Sequence, residues 1–429
     1  MLELYFDSYG CTANHNSTEI MKGLVKQAGL NITQNIDYAD FIIINSCIVK
    51  EPTQEKIRRK IQDLLDNGKK IILAGCMPKF LDKSLKDKVG NKLFLIGANH
   101  ITNITNLIKD IQENNYNQDN YLNNRNEVKA ELPKISRERY IGVNQISEGC
   151  LGECAYCIVR LAKGKLFSYP QEKIIQSVKN DVSSGCKEIW LTSQDNANYG
   201  NEEGKHNLPE LLNKILDIKG NFFVRLGMMN PDNVLKILPE LIELYKHKKM
   251  FKFLHIPIQS GSNKILNAMK RKYTGQEVIK IVREFKKNIP DIIIATDVIV
   301  GYPEETEKDF QETLDIVSEI KPEILNKSNF HPRPNTPAEK LKQISPDIMR
   351  KRAKQLSDLH MNICNNIQKD WMGKEVRVLV DKKGFENTYL GRTSNYKLVA
   401  IQSNKKILGR MLDVKVKRIM PHYLIATPI

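Results

Sequence analysis

The sequence predicts an α/β protein in three parts: an N-terminal doubly wound parallel sheet, a central partial (β/α) barrel and a small antiparallel β-barrel at the C-terminus. Two patterns carry that expectation. As far as about residue 368, short apolar runs alternate with helical stretches, the mark of parallel sheets covered by crossover helices. From Trp371 onward, apolar and charged residues alternate at period two, the mark of half-buried antiparallel strands. At 429 residues the chain is long enough for two or three domains with real cores.

In the first segment, residues 1–111, stretches 2–8, 41–45 and 71–74 read as strands. Residues 17–28 and 53–65 read as helices, the first with Ser17 or Thr18 near its N-cap and Gly29 at its stop. Each of the three strands runs into a cysteine: Cys11, Cys47 and Cys76. Open parallel sheets bind ligands beyond the carboxyl ends of their strands. Three thiols at equivalent strand ends are therefore expected to meet at one edge as metal ligands, although any one alone would read as a small buried hydrophobe. Residues 112–133 are polar and asparagine-rich and read as a connector between domains.

The middle segment, residues 134–368, has apolar runs at 140–146, 188–192, 222–226, 252–258, 292–299 and near 324–330. Six strand–helix units imply a partial or full parallel barrel with its chemistry on the C-terminal face. The first strand opens into EGCLGECAYC, which places Cys150, Cys154 and Cys157 in one loop. Three thiolates so close together converge on one soft metal centre, an iron–sulfur cluster or zinc. A complete site usually takes four ligands, and the loop holds no fourth Cys or His, so one metal position is left for an exogenous ligand. Ser193, Gln194, Arg225, Gln259 and Asp297 fall near the ends of later strands. Residues 347–369 read as a closing helix, with Cys364, like Cys186, as packing.

The last segment, 371–429, carries EVRVLV, YKLVAI and DVKVKRI between turn signals at Lys383–Gly384 and Ser403–Asn404, enough for about five strands. The whole chain has 66 Lys+Arg against 50 Asp+Glu, a formal charge of +16. This segment alone holds 12 basic and 4 acidic residues, half of the surplus. Basic strand faces at this density fit a phosphate backbone. No apolar run approaches the roughly 18 residues of a membrane span, and the N-terminus lacks a basic stretch followed by an apolar one. Eight cysteines without an export signal point to a reducing compartment, so a cytoplasmic protein is expected.

The CxxxCxxC spacing with Tyr156 before its last cysteine is the signature of radical S-adenosylmethionine (SAM) enzymes, and the chain as a whole resembles the tRNA methylthiotransferases. The N-terminal motifs of that family are matched by Gly10–Cys11–Thr12–Ala13–Asn14, Asn45–Ser46–Cys47 and Gly75–Cys76. Further matches are LTSQDNANYG from Leu191, RLGMMNP from Arg225, HIPIQSGS from His255, TDVIVGYPEET from Thr296 and PRPNTPA from Pro332. Departures are Lys163 where Arg is usual, and Glu304 and Asn335 where Gly is usual; none touches a cysteine.

The resemblance implies two [4Fe–4S] clusters. Cys150, Cys154 and Cys157 would hold the one that binds and cleaves SAM; Cys11, Cys47 and Cys76 would hold an auxiliary one bearing the sulfur to be transferred. It further implies Tyr156, Ser193, Gln194, Arg225 and Gln259 around SAM and substrate, and a C-terminal TRAM module that holds the tRNA anticodon stem-loop. An electron donor and a sulfur source would lie outside the chain. Details such as LFSYP, LTSQD and RLGMMNP resemble the archaeal and eukaryotic branch, which 2-methylthiolates N6-threonylcarbamoyladenosine next to the anticodon. Related branches act on isopentenyladenosine in tRNA or on a ribosomal-protein aspartate.

Overall fold

The computed structural model describes residues 2–429. The N-terminal sheet is built from β1 (Glu3–Ser8), β2 (Asn31–Ile32), β3 (Phe41–Ser46), β4 (Ile71–Gly75) and β5 (Leu93–Gly97), all parallel, in the order β2-β1-β3-β4-β5. Alternate residues of the central strands serve opposite faces. Ile43 and Ile72 pack with helix α1 (Thr12–Gln27), while Ile42, Ile44, Ile71 and Leu73 pack with Ile57, Ile61 and Leu65 of helix α2 (Glu51–Asp66). Burial on both faces explains why these strands read as unbroken apolar runs.

Helix α1 corrects the sequence reading, which began it at residue 17. It starts at Thr12, so Cys11 is its N-cap. Its buried face includes Asn14, Asn16, Ser17 and Thr18. A polar first turn that is buried shows no apolar periodicity, which is why its start could not be seen. The segment 112–133 is more than a connector. It contains a short helix, Asp119–Leu122, and the Tyr116 hydroxyl accepts a hydrogen bond from Leu95 N–H of edge strand β5 at 2.9 Å. Tyr116 stacks on the buried Tyr121 with centroids 6.2 Å apart, closing an edge that would otherwise be open.

The central domain has β6 (Ile141–Gln145), a two-residue ladder β7 (Ser147–Glu148) with β8 (Phe167–Ser168), then β9 (Glu188–Thr192), β10 (Phe223–Leu226), β11 (Phe253–His255), β12 (Ile293–Val300) and β13 (Ile324–Asn329). Two parallel three-stranded sheets, β6-β9-β10 and β11-β12-β13, are joined by a bridge between Val224 and Met250 into a six-stranded partial barrel. Ile189, Leu191, Val224, Leu226, Leu254 and Ile294 meet the surrounding helices. The alternate residues Trp190, Phe223, Phe253, Ile293 and Ala295 form a second apolar cluster on the other face.

That second cluster is completed from the C-terminal domain. Strands β14 (Glu375–Lys383), β15 (Thr388–Thr393), β16 (Leu398–Gln402), β17 (Met411–Ile419) and β18 (Leu424–Pro428) close into a barrel in the order β14-β15-β16-β18-β17. All pairings are antiparallel except β16 with β18. Tyr396, in the turn between β15 and β16, packs on Phe251 and Phe253 with centroids 4.9 and 4.8 Å away. Its φ of +69°, in the left-handed region, is held by backbone bonds from Lys252 N–H to Ser394 O and from Tyr396 N–H to Thr393 O. The C-terminal barrel thus plugs one end of the central one. Among the described residues, no helix is long and apolar enough to cross a membrane.

Candidate active site

Cys11, Cys47 and Cys76 each directly follow a strand end or its turn, and asparagines and a serine tie the three strand ends together. Asn14 donates to Tyr9 O at 3.1 Å and Ser46 O at 2.9 Å. Asn45 donates back to Asn14 O at 2.7 Å, and the Ser46 hydroxyl donates to Ala74 O at 2.6 Å. Gly10, at φ +101°, lets the β1 turn lie against Cys47, because a Cβ there would sit 2.6 Å from Cys47 Cβ. Gly75, at φ +94°, does the same for the Cys76 turn, where a Cβ would sit 2.4 Å from Asn45 Oδ1. The GCxxN, NSC and GC patterns are therefore the geometry of one thiol-lined edge.

Burial pushes the Cys76 thiol up to about 12, opposed by the Lys163 ammonium and reinforced by Cys11 and Cys47. Cys47 is likewise raised by burial. Thiols in this setting ionise only with a cation to neutralise them.

The second triad lies in the loop after β7. Gly152 N–H points at Cys150 Sγ at 3.2 Å, and Arg271 Nη1 donates to Cys154 Sγ at 3.0 Å. Cys150 is pushed up to about 12 by burial and by Asp195, and Cys157 to about 11 by burial and Cys154. The donor set of each triad, all thiol and three in number, suits a [4Fe–4S] cluster with one open iron.

The two triads are neighbours. Cys76 packs with Ile158 and Ala162, which follow Cys157 in the chain. Asn99, beyond β5, donates to Lys163 O at 3.1 Å. The Glu148 carboxylate, just before Cys150, is held between Lys163 at 2.8 Å and Lys129 at 2.5 Å, all three buried. Burial alone would raise Glu148, but the two ammonium groups outweigh it and hold the carboxyl at about 2. Lys163 is raised in turn by Glu148, Cys76 and Cys11. Its charge thus serves the N-terminal cysteines from within the second cysteine loop.

The remaining residues named from sequence occupy different depths. Gln194 Oε1 accepts from Gly149 N–H at 2.7 Å, fixing the cysteine loop to the end of β9, and Ser193 Oγ accepts from Asp195 N–H at 3.2 Å. Tyr156 is half-buried, edge-on to Tyr302 at 6.4 Å. Gln259 has φ +60° and bridges to β12 through Asp297 O and Ile299 N. Arg225 lies deeper, its guanidinium 5.3 Å from the Trp190 ring, 5.1 Å from Phe253 and 5.8 Å from Tyr396, with a buried Nε that has no partner.

Sequence reasoning passed over Arg271, which sits in the charged run KRKY and looks like surface. It singles out Asp297 but not its partner His255, whose Nε2 lies 2.9 Å from Asp297 Oδ2, with Asn326 on the other carboxylate oxygen at 2.8 Å. Burial would raise Asp297, but these partners hold it below the usual carboxylate value. Asp195 is satisfied by Asn230 and Asn233, which its placement after β9 alone did not reveal.

A three-cysteine loop at the mouth of a six-stranded parallel barrel defines a radical SAM enzyme, and the thiol-lined sheet edge beside it is an added feature. Residues 144–317 match the model of the Radical SAM superfamily, residues 3–97 that of Uncharacterized protein family UPF0004, and residues 372–429 that of the TRAM domain. The chain is 38% identical over 427 residues to the probable threonylcarbamoyladenosine tRNA methylthiotransferase of Pyrococcus horikoshii, covering 99% of each. It is 33% identical over 435 residues to the human threonylcarbamoyladenosine tRNA methylthiotransferase, covering 100% of this chain and 74% of that one. The chain belongs to the threonylcarbamoyladenosine tRNA methylthiotransferase family. Among solved structures, the radical SAM methyltransferase TsrM from Kitasatospora setae shares the fold, with a TM-score of 0.57 at 13% identity over 79% of this chain and 75% of that one.

Proposed function

We propose that this protein is a tRNA methylthiotransferase that converts N6-threonylcarbamoyladenosine, next to the anticodon, to its 2-methylthio form. The observation that carries the reading is the pairing of two neighbouring three-thiol sites, with Cys76 of one packed on Ile158 and Ala162 just after the other, in a chain collinear with enzymes of that name. Cys150, Cys154 and Cys157 would hold one [4Fe–4S] cluster together with SAM, and Cys11, Cys47 and Cys76 a second. When bound, these groups supply a 5′-deoxyadenosyl radical and a sulfur to transfer, chemistry needed because the C2–H of adenine is beyond acid–base catalysis.

The chain's own residues position and shield. Gln194 and Arg271 fix the cysteine loop, Glu148 with Lys129 and Lys163 locks it to the N-terminal domain, and Tyr156, Ser193, Gln194, Arg225 and Gln259 are the proposed surroundings of SAM and substrate. The His255–Asp297 pair lies on the same strand-end side. The target base must leave the anticodon-loop stack to enter the barrel mouth. The basic C-terminal barrel would hold the tRNA while it does so. The reading further assigns the protein to the cytoplasm and requires a one-electron donor and a sulfur source as partners.

The test is nucleoside mass spectrometry of tRNA from a strain lacking the gene, with and without the gene restored. Loss and return of 2-methylthio-N6-threonylcarbamoyladenosine is the expected result. An unchanged nucleoside would overturn the substrate and direct the search to isopentenyladenosine and ribosomal protein.

A further inference from the structure

We infer that His360, Cys364 and His422 form a zinc(II) site, separate from both cysteine triads, that fastens the C-terminal barrel to the closing helix of the central domain. Each offers one donor atom, and the three donors lie within 4.8 Å of one another, the only such His/Cys/Asp/Glu group among the described residues. His360 and Cys364 are four apart on the helix Pro346–Gln368, so they share a face. Both are buried. His422 comes from the turn between β17 and β18, which is closed by Met420 N–H to Tyr423 O at 2.9 Å.

One donor pair already stands at the spacing of two ligands on one metal, and the third donor is within reach. Cys364 Sγ and His360 Nε2 are 3.3 Å apart, against about 3.5 Å for two such donors on one zinc. The imidazoles of His360 and His422 are nearly parallel, 17° between planes and 5.7 Å between centroids. The helix and the turn are also held in register independently, since Gln368 Nε2 donates to Pro421 O at 3.1 Å. One thiolate and two imidazoles suit zinc, and the exposed side of His422 leaves room for a water as fourth ligand. On binding, the thiol proton goes to solvent and each imidazole gives a ring-nitrogen lone pair. In the metal-free protein the same thiol is within reach of His360 Nε2 and, at 3.6 Å, of Glu323 O. Only residues 369–374 separate this helix from β14, so a metal here would set how the RNA-binding barrel stands on the core.

The test uses the full-length protein with its iron–sulfur sites loaded, equilibrated with zinc and gel-filtered, with zinc and iron counted together. Wild type is expected to keep about one zinc per chain, and His422→Ala and Cys364→Ser to lose at least about tenfold of it with iron unchanged. Cobalt(II) is expected to give tetrahedral ligand-field absorption in wild type that His422→Ala lacks. Chelation or His422→Ala is expected to speed proteolysis at residues 369–374. His422 is exposed, so its replacement decides the matter even if Cys364→Ser fails to fold. Equal zinc in wild type and His422→Ala, or none in wild type, would leave a thiol–imidazole hydrogen bond only and overturn the site.

Discussion

Lys163 and Glu148 meet at 2.8 Å inside the protein, one on each side of the cysteine loop they enclose. The pair joins three things: the start of the loop, its end, and, through Lys129 and Ala98 O, the N-terminal sheet. Replacing Lys163 with Met keeps much of the volume and removes the charge. A buried carboxylate deprived of one of its two cations is expected to cost about 3–5 kcal/mol. Chemical denaturation should show that loss, and Lys163→Arg should recover most of it. A midpoint unmoved by Lys163→Met would mean that Lys129 alone neutralises Glu148.

The same group sets an acid limit. Glu148 has a folded value of about 2, below the ordinary glutamate value of 4.5. Its lowered pKa stabilises the fold above about pH 4.5, and that contribution disappears as pH falls toward 2. Glu148→Gln should therefore be less stable than wild type at neutral pH, with the gap narrowing steadily between pH 4.5 and 2. Unfolding midpoints across that range give the difference directly. A gap that stays constant with pH would show that the carboxylate's charge contributes nothing.

Gly10 should be needed for the N-terminal triad and not for the other. A Cβ at φ +101°, 2.6 Å from Cys47 Cβ, cannot be accommodated without moving the β1 turn. Gly10→Ala is expected to cut iron from about eight to about four per chain. SAM cleavage should persist while methylthio product is lost. Full iron with normal product would show that Cys47 can retreat and that the close approach is incidental.

Arg271 gives the triad of Cys150, Cys154 and Cys157 a charged donor, at 3.0 Å from Cys154 Sγ. Hydrogen bonds and nearby positive charge raise cluster potentials. Arg271→Gln should make the cluster harder to reduce, by up to roughly 65–130 mV, the one-electron equivalent of the roughly 1.5–3 kcal/mol of a charge-assisted bond. A redox titration measures this independently of turnover. An unshifted potential would leave Arg271 as a packing residue against Tyr273 and Asn230.

Much of this was legible in the sequence because thiols at strand ends are conspicuous and parallel strands buried on both faces leave unbroken apolar runs, as at residues 41–45. The rest follows one rule: polar residues whose pattern reads as solvated are buried. Asn14 and Thr18 are buried in α1, so the apolar pattern of the helix begins late. Lys129 and Glu127 are buried at the end of what reads as a connector. Arg271 sits among surface lysines in sequence and against a cysteine in space. Tyr396 reads only as the first residue of the strand stretch YKLVAI, because a turn residue that packs into a different domain has no local pattern to show it.

The outer face of β17 supplies the last test. Val414 and Val416 point into the C-terminal barrel, and Lys415 and Lys417 therefore point out, with Arg418 exposed beside them. Charge reversal of these three should leave the barrel core untouched. Each lost phosphate contact should lower the salt slope of tRNA affinity by about 0.7–0.9, since fewer counterions are released. Binding should therefore weaken most at low salt and converge on wild type as salt rises. Titrating tRNA at several salt concentrations reads both quantities. An unchanged slope with normal folding would place the RNA on another face of the barrel, and the next residues to reverse would be the exposed Lys405, Lys406 and Arg410 of the turn before β17.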